Sequence, residues 1–341
     1  MRFVRTRHQR IIAIIIGVFV ALAIALIALD WHDVHRTVSQ ADWHFTLIAV
    51  FFTIASYFCV SFGYVLVNAV FGIRGAWGRT LWLGFVSSAL NNVLAFSGAA
   101  GHSLRVAVIS PRGSTSGEVL AASLFHSYLN DIMMLFLLVV GLIWVLLDHT
   151  VSGGVAISLA LAAGLLVVSL VIATLMVMVG GLRSRLLRMA GALWRKITHH
   201  NIMRFLADFD HSLLHGLVAL RRNRPALGLL LALMAGEWIF SAVALRFCFD
   251  AFGRAPGWGA LLLGFGIGIS AGNMTFVPAG IAVQEASMAA IYVGLGSTLA
   301  QALLAAILFR IVYDFIPFFL SLAYMGWFLQ RRGGGTVGER T

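Results

Sequence analysis

Eight apolar stretches, separated by short polar segments, make up most of the sequence: 11–29, 45–70, 81–109, 119–147, 154–180, 225–249, 257–296 and 299–328. A helix needs about 20 apolar residues to cross roughly 30 Å of hydrocarbon, and each stretch supplies them. Composition agrees. Of 341 residues, 60% are hydrophobic and 11% charged, where a soluble domain carries about a quarter charged. With a mean hydropathy of +0.95, this excludes a soluble cytosolic enzyme and a disordered chain. The fold class expected is an all-α polytopic membrane protein.

The basic residues orient the stretches. Arg2, Arg5, Arg7 and Arg10 precede the first, which is too long for a signal-peptide core and is read as a retained helix. Arg74, Arg79, Arg112, the cluster Arg183 through Arg224, and Arg331 with Arg332 are then cytoplasmic. Segments 30–44, 148–153 and 250–256 offer Arg36 and Arg254 beside Asp30, Asp33, Asp42, Asp148 and Asp250, and are the outer loops. Both termini are expected inside. The sorting works only if 81–109 and 257–296 each leave on the side they entered. The predicted architecture is therefore about six spanning helices plus two broken hairpins, re-entrant or fully crossing.

Both hairpins are interrupted by small residues: Ser97-Gly98-Ala99-Ala100-Gly101 in one and Val277-Pro278-Ala279-Gly280 in the other. In both, Asn leads to Phe, then to the break, then to an ionisable residue, Arg105 or Glu285. Opposed orientations and matching breaks predict an inverted repeat, a recurrent transporter design. Backbone freed at such breaks must be buried in protein or line a wet cavity.

Ionisable side chains inside a membrane cost on the order of 3 kcal/mol or more and need a reason. The candidates are Arg105, Asp131, Glu237, Arg246, Glu285, Arg310 and Asp314. Arg310 and Asp314 stand one helical turn apart, with Tyr313 beside them and Pro317 loosening the helix just beyond. Arg246, near a helix end, is read as an interfacial snorkeller. Arg105 and Glu285 either pair structurally or offer separate plus and minus ends to a headgroup. Both readings stay open.

Asn91-Asn92 before the glycine-rich break and Arg105, the run Val277 to Glu285, and Arg310-x-x-Tyr313-x-x-x-Pro317 resemble the flippase-like transmembrane region of lysylphosphatidylglycerol synthases. The resemblance covers residues 1–328 as a single integral membrane domain, with 329–341 as a cytoplasmic tail. It implies lipid translocation between leaflets of the bacterial inner membrane. Ala279 and Ala282 stand where the family pattern has glycine, and the first break lacks the proline. The chain stops about a dozen residues after its last apolar stretch, so aminoacyl transfer and an enzymatic role are not expected.

On this reading Asn92, Arg105, Asp131, Glu285, Arg310, Tyr313 and Asp314 bind substrate at a polar midplane cavity. Ser97, Gly98, Gly101, Pro278, Gly280 and Pro317 break the helices. A guanidinium at Arg105 or Arg310 matches lipid phosphate, and Glu285 takes a cationic headgroup group or a coupling proton. The expected partners are anionic or zwitterionic phospholipids, with an isoprenoid lipid, a separate lipid-modifying enzyme and a homo-oligomer as further options. The alternatives are a membrane-embedded transferase and an accessory subunit acting on an isoprenoid, hopanoid or glycolipid.

The stretch 181–224 reads as an amphipathic connector on the anionic inner leaflet, with apolar spacing at Leu182, Leu186, Met189 and Leu193. His211 and His215 have zinc-ligand spacing, but His199 and His200 offer no convincing third ligand, and Cys59 and Cys248 sit inside apolar runs. No metal or cofactor is expected. The pI near 10.9 points to anionic lipid, not nucleic acid, because the cations lie between apolar segments.

Overall fold

A computed structural model describes residues 31–73, 75–94, 99–110, 113–148, 153–198, 202–253, 255–274 and 280–333. The expected first helix at 11–29, the break residues Ser97, Gly98 and Pro278, and most of the tail lie outside the described residues. Every described element is helical: α1 (Trp31–Ser39), α2 (His44–Val70), α3 (Trp77–Leu94), α4 (Ala99–Ile109), α5 (Ser116–Leu147), α6 (Gly153–Met178), α7 (Gly180–Thr198), α8 (Met203–Arg222), α9 (Arg224–Ala251), α10 (Trp258–Met274), α11 (Val283–Gly294) and α12 (Leu299–Arg310). A π-helical segment, Ile311–Phe315, then leads into α13 (Ile316–Gly333).

Four of these are long and apolar enough to cross a membrane: α2, α5, α9 and the continuous run Leu299–Gly326. The protein is a multi-pass membrane protein. Local signals start its helices. Thr115 and Glu118 exchange side-chain-to-backbone hydrogen bonds of 3.0 and 3.2 Å in a capping box ahead of α5. Asn223 Oδ1 accepts from the Ala226 N–H at 3.1 Å, and Pro225 just inside α9 needs no donor there.

The two expected hairpins are α3–α4 and α10–α11. Their first arms have 18 and 17 residues, their second arms 11 and 12. At 1.5 Å per residue the second arms reach about 16 and 18 Å, too short to cross on their own.

The chain falls into two compact units. The first comprises the described residues within Met1–Phe52, Met134–Leu170 and Phe240–Phe309; the second those within Thr53–Met133, Val171–Ile239 and Arg310–Thr341. Each unit holds one hairpin.

In the first unit a core of Leu135, Leu138, Val145, Leu159, Ala163 and Leu263 packs α5, α6 and α10. Glycines 264, 268 and 272 recur every fourth residue along α10. They receive Tyr292, Met288 and Gln284, which recur every fourth residue along α11. A side chain at Gly264 or Gly268 would collide with its partner and one at Gly272 would press on Gln284, so the arms approach as small-residue seams do in membranes. Tyr292 fixes the pairing by donating to the Leu261 carbonyl at 2.9 Å. At the turn, Gly280 lies on Gly272: a Cβ at Gly280, whose φ is +57°, would stand 2.6 Å from the Gly272 Cα.

In the second unit Tyr64, Val67 and Phe71 of α2, Val119, Phe125 and Leu129 of α5, Leu213 and Leu220 of α8, and Leu230 and Met234 of α9 form the core. Gly101 sets the hairpin here. A Cβ there would run into the Ser87 carbonyl oxygen, and its N–H donates to Asn91 Oδ1 at 2.6 Å. Asn91, at the end of α3, thus caps the first turn of α4.

Ala282 occupies the N-cap of α11 with φ 70° and ψ −35°, the one positive φ at a non-glycine among the described residues. This is a position where the resembling pattern has glycine. An L side chain there costs about 1–3 kcal/mol, and glycine adopts the same backbone without it. Ala282→Gly is therefore expected to raise the unfolding free energy in detergent by about 1 kcal/mol, read as a higher midpoint in a denaturant titration. A lower midpoint would mean that Ala282 is not strained.

Candidate functional site

Arg105 sits on α4, whose close contact with α3 through Gly101 carries it into the second unit. It is 1% exposed. Its Nε donates to Ser87 Oγ at 2.7 Å, and its guanidinium carbon lies 4.0 Å above the centre of the Tyr64 ring, a cation–π contact. The Tyr64 ring is held by an edge contact to His126, centroids 5.7 Å apart, and His126 Nε2 is 3.1 Å from the Val60 carbonyl.

Arg105 makes no ion pair among the described residues. Its Nη1 is buried without a hydrogen-bond partner there, as are His102 Nδ1, one turn away on α4, and Tyr64 Oη. Buried polar atoms are nearly always paired, and an uncompensated buried charge costs several kcal/mol. Nε is fixed by Ser87, while Nη1, equally buried, keeps its donors for a partner that a guanidinium can hold, such as an oxyanion.

The π-helical segment is a second construction in the same unit. Pro317 has no N–H, so the Tyr313 carbonyl, its partner in a regular helix, is released. Tyr57 of α2 satisfies that carbonyl with its hydroxyl at 3.1 Å, and the hydroxyl in turn accepts from Asn92 Nδ2 at 3.0 Å. The Tyr313 hydroxyl lies 3.1 Å from Ser56 Oγ. The ladder skips one residue, with the Ile316 N–H bonded to the Ile311 carbonyl, and such bulges are frequent at functional sites. Arg310, just before the segment, and Asp314, within it, pair at 2.9 Å with both side chains 7% exposed.

The carboxylates fall elsewhere. Asp131 stands at the middle of α5 with its side chain exposed. Next to it, Asn130 donates to Glu237 Oε1 at 3.2 Å, and Trp238 Nε1 donates to the Asn130 carbonyl at 2.9 Å. Glu237 is buried at the middle of α9. Glu285 is buried in the first turn of α11, in the first unit.

The structure thus links Asn92 to Tyr313 through Tyr57, sets the separate Arg310–Asp314 pair on the same stretch of chain, places Arg105 on the arm paired with Asn92's helix, and sets Asp131 beside the Glu237 contact. The sequence reading did not single out Tyr57, Tyr64, Ser56 and Ser87. A signal was present: Tyr57, Ser61, Tyr64 and Asn68 recur every three or four residues along the otherwise apolar α2, marking its inward face.

Residues 11–321 match the family model of the lysylphosphatidylglycerol synthase TM region. The chain belongs to that family. No curated protein matches it. Membership gives the protein a membrane-lipid role, and the family match takes in both hairpins and the π-helical segment.

The two buried arginines differ in what their removal does. Arg310→Ala removes the arginine that faces the buried Asp314 carboxylate, and is expected to cost about 3–5 kcal/mol of stability, whereas Arg310→Met with Asp314→Leu recovers most of it. Tyr57→Phe is expected to cost about 1–3 kcal/mol by removing the hydroxyl that donates to the Tyr313 carbonyl. Denaturant titration in mild detergent, followed by tryptophan emission, measures all three. A double variant as unstable as the single one would mean that the pair does more than neutralise itself.

Proposed function

We propose that this protein moves a phospholipid between the leaflets of the bacterial inner membrane, and that Arg105 receives the headgroup phosphate. The observation that carries the reading is the buried guanidinium with one edge held by Ser87, its face on Tyr64, and Nη1 unpartnered among the described residues. Arg310, by contrast, already has Asp314. An oxyanion at Arg105 supplies the missing countercharge, and the orphan atoms of His102 and Tyr64 supply further polar contacts. Headgroup transfer through bare hydrocarbon has a prohibitive desolvation cost, and fixed donors of this kind replace the lost water.

Membership of the family supports a lipid as cargo. Paired long and short arms, one hairpin in each unit, support an inverted repeat. Arg105 is covered in this conformation, so its headgroup access requires movement of α4, the 11-residue arm that carries it. Asp131 and, in the other unit, Glu285 are the carboxylates that serve a cationic headgroup group or a coupling proton. The reading assigns the chain no covalent chemistry.

Proteoliposomes carrying a fluorescently labelled phospholipid test it, with a membrane-impermeant reductant reporting label in the outer leaflet. Wild-type protein is expected to make inner-leaflet label accessible without forming a new lipid species. Arg105→Gln is expected to slow that exchange about tenfold to a hundredfold, the rate equivalent of the about 1.5–3 kcal/mol that a charged hydrogen bond supplies. A folded Arg105→Gln protein working at the wild-type rate would overturn the assignment of Arg105. New lipid species appearing on thin-layer chromatography would favour a transferase.

A further inference from the structure

α7 begins two residues after the apolar helix α6 ends, and it carries five basic residues with no acidic one: Arg183, Arg185, Arg188, Arg195 and Lys196. It has two distinct faces. Arg183, Leu187 and Gly191, spaced by four, face α8. Arg183 is buried and forms an ion pair with Asp210, and a Cβ at Gly191 would stand 2.7 Å from the Met203 sulfur. α8 in turn sends Leu213 and Leu220 into the core of the second unit and packs Gly216 against Phe71. The helix is therefore mounted firmly on the unit.

The other face is not used in this packing. Leu182, Leu186, Met189 and Leu193 form a second stripe at helical spacing, about 130° around the helix from the α8 contact at about 100° per residue. Met189 and Leu193 are 62% and 60% exposed, and Leu182 is exposed as well. Arg185 and Lys196 border that stripe, with Arg188 and Arg195 farther round, all four exposed. An apolar stripe bordered by cations on a helix that directly follows the apolar helix α6 is complementary to one surface: acyl chains at the headgroup boundary, surrounded by anionic headgroups.

We propose that the Leu182–Leu193 stripe of α7 is a docking surface for an anionic lipid leaflet, and that the Arg183–Asp210 pair and the Gly191 contact hold the second unit to that leaflet. The surface is separate from Arg105, and its occupancy does not depend on transport.

A polarity-sensitive fluorophore attached to Met189→Cys, in full-length protein with Cys59 and Cys248 replaced by alanine, reports the environment of the stripe. The protein is placed in nanodiscs of phosphatidylcholine alone, or of equal parts phosphatidylcholine and phosphatidylglycerol. The expected result is a blue-shifted, brighter emission in the anionic discs that reverts at about 1 M salt, where the screening length falls to about 3 Å. Replacing Arg185, Arg188, Arg195 and Lys196 by glutamine is expected to abolish the shift, each cation contributing about fivefold to partitioning. A label that stays in water in both discs overturns the proposal. So does one shielded equally in neutral discs or at high salt, which would put another protein surface or neutral lipid on the stripe. The salt arm gives the answer even if the quadruple variant does not fold.

Discussion

Hydrocarbon offers no hydrogen bonds, so every backbone group freed by a helix interruption in this protein must find a partner inside the protein. The described interruptions are solved by different residues under that one constraint. Where α3 ends, Asn91 turns back to cap α4 through the Gly101 N–H. Where Pro317 releases the Tyr313 carbonyl, the Tyr57 hydroxyl reaches it from α2. Asn92, the residue after the capping asparagine, holds that same hydroxyl. Two adjacent asparagines thus satisfy two breaks, and the first hairpin is tied through Tyr57 to the π-helical segment.

Glycine makes the hairpins compact enough for such partners to reach. Lipid tails are as apolar as leucine side chains, so helices gain little by hiding apolar surface from one another and associate through close packing. The ladder of Gly264, Gly268 and Gly272 receives Tyr292, Met288 and Gln284, and Gly101 rests on the Ser87 carbonyl. The Ser87 contact has a second consequence. The helix turn that accepts Gly101 also carries the hydroxyl that holds Arg105 Nε, so the packing of the hairpin and the position of the buried charge are set by the same residue. Ala282 departs from this pattern, and its backbone adopts a conformation that suits glycine better.

Much of this was legible from residue order. Four of the apolar runs hold the helices long enough to cross a membrane, and Arg310 and Asp314, expected to share a face, pair at 2.9 Å. Each expected hairpin is divided into two helices, although Gly101, expected at the first break, lies inside α4. Pro317 announced a disturbed helix, and the π-helical segment is its form. The partners were harder to read. Tyr57 and Tyr313 are 256 residues apart, and an apolar helix that faces lipid on one side and protein on the other gives little contrast between its faces. The faint polar stripe Tyr57, Ser61, Tyr64 and Asn68 was the available contrast. Charge alone also failed to separate Asp131 from Glu237: both lie at mid-helix, yet one side chain is exposed and the other buried. The expected first helix lies outside the described residues.

The arginines illustrate why a membrane-embedded charge needs its surroundings before it has a meaning. Arg310 and Arg105 are similarly buried, 5% and 1% exposed, and as sequence positions both were candidates for a phosphate, Arg310 the stronger because it adjoins a helix break. Arg310 has a carboxylate one turn away, so its field is largely cancelled and its guanidinium is committed to the fold. Arg105 has a hydroxyl and an aromatic face, groups that hold a cation in place without neutralising it. A protein that needed only a structural link at Arg105 could use an uncharged donor to Ser87 and avoid the cost of burying a charge. Glu237 is the carboxylate of the chain that bears electrostatically on Arg105 without pairing with it; under the proposed function the contacting countercharge is the phosphate of the lipid itself.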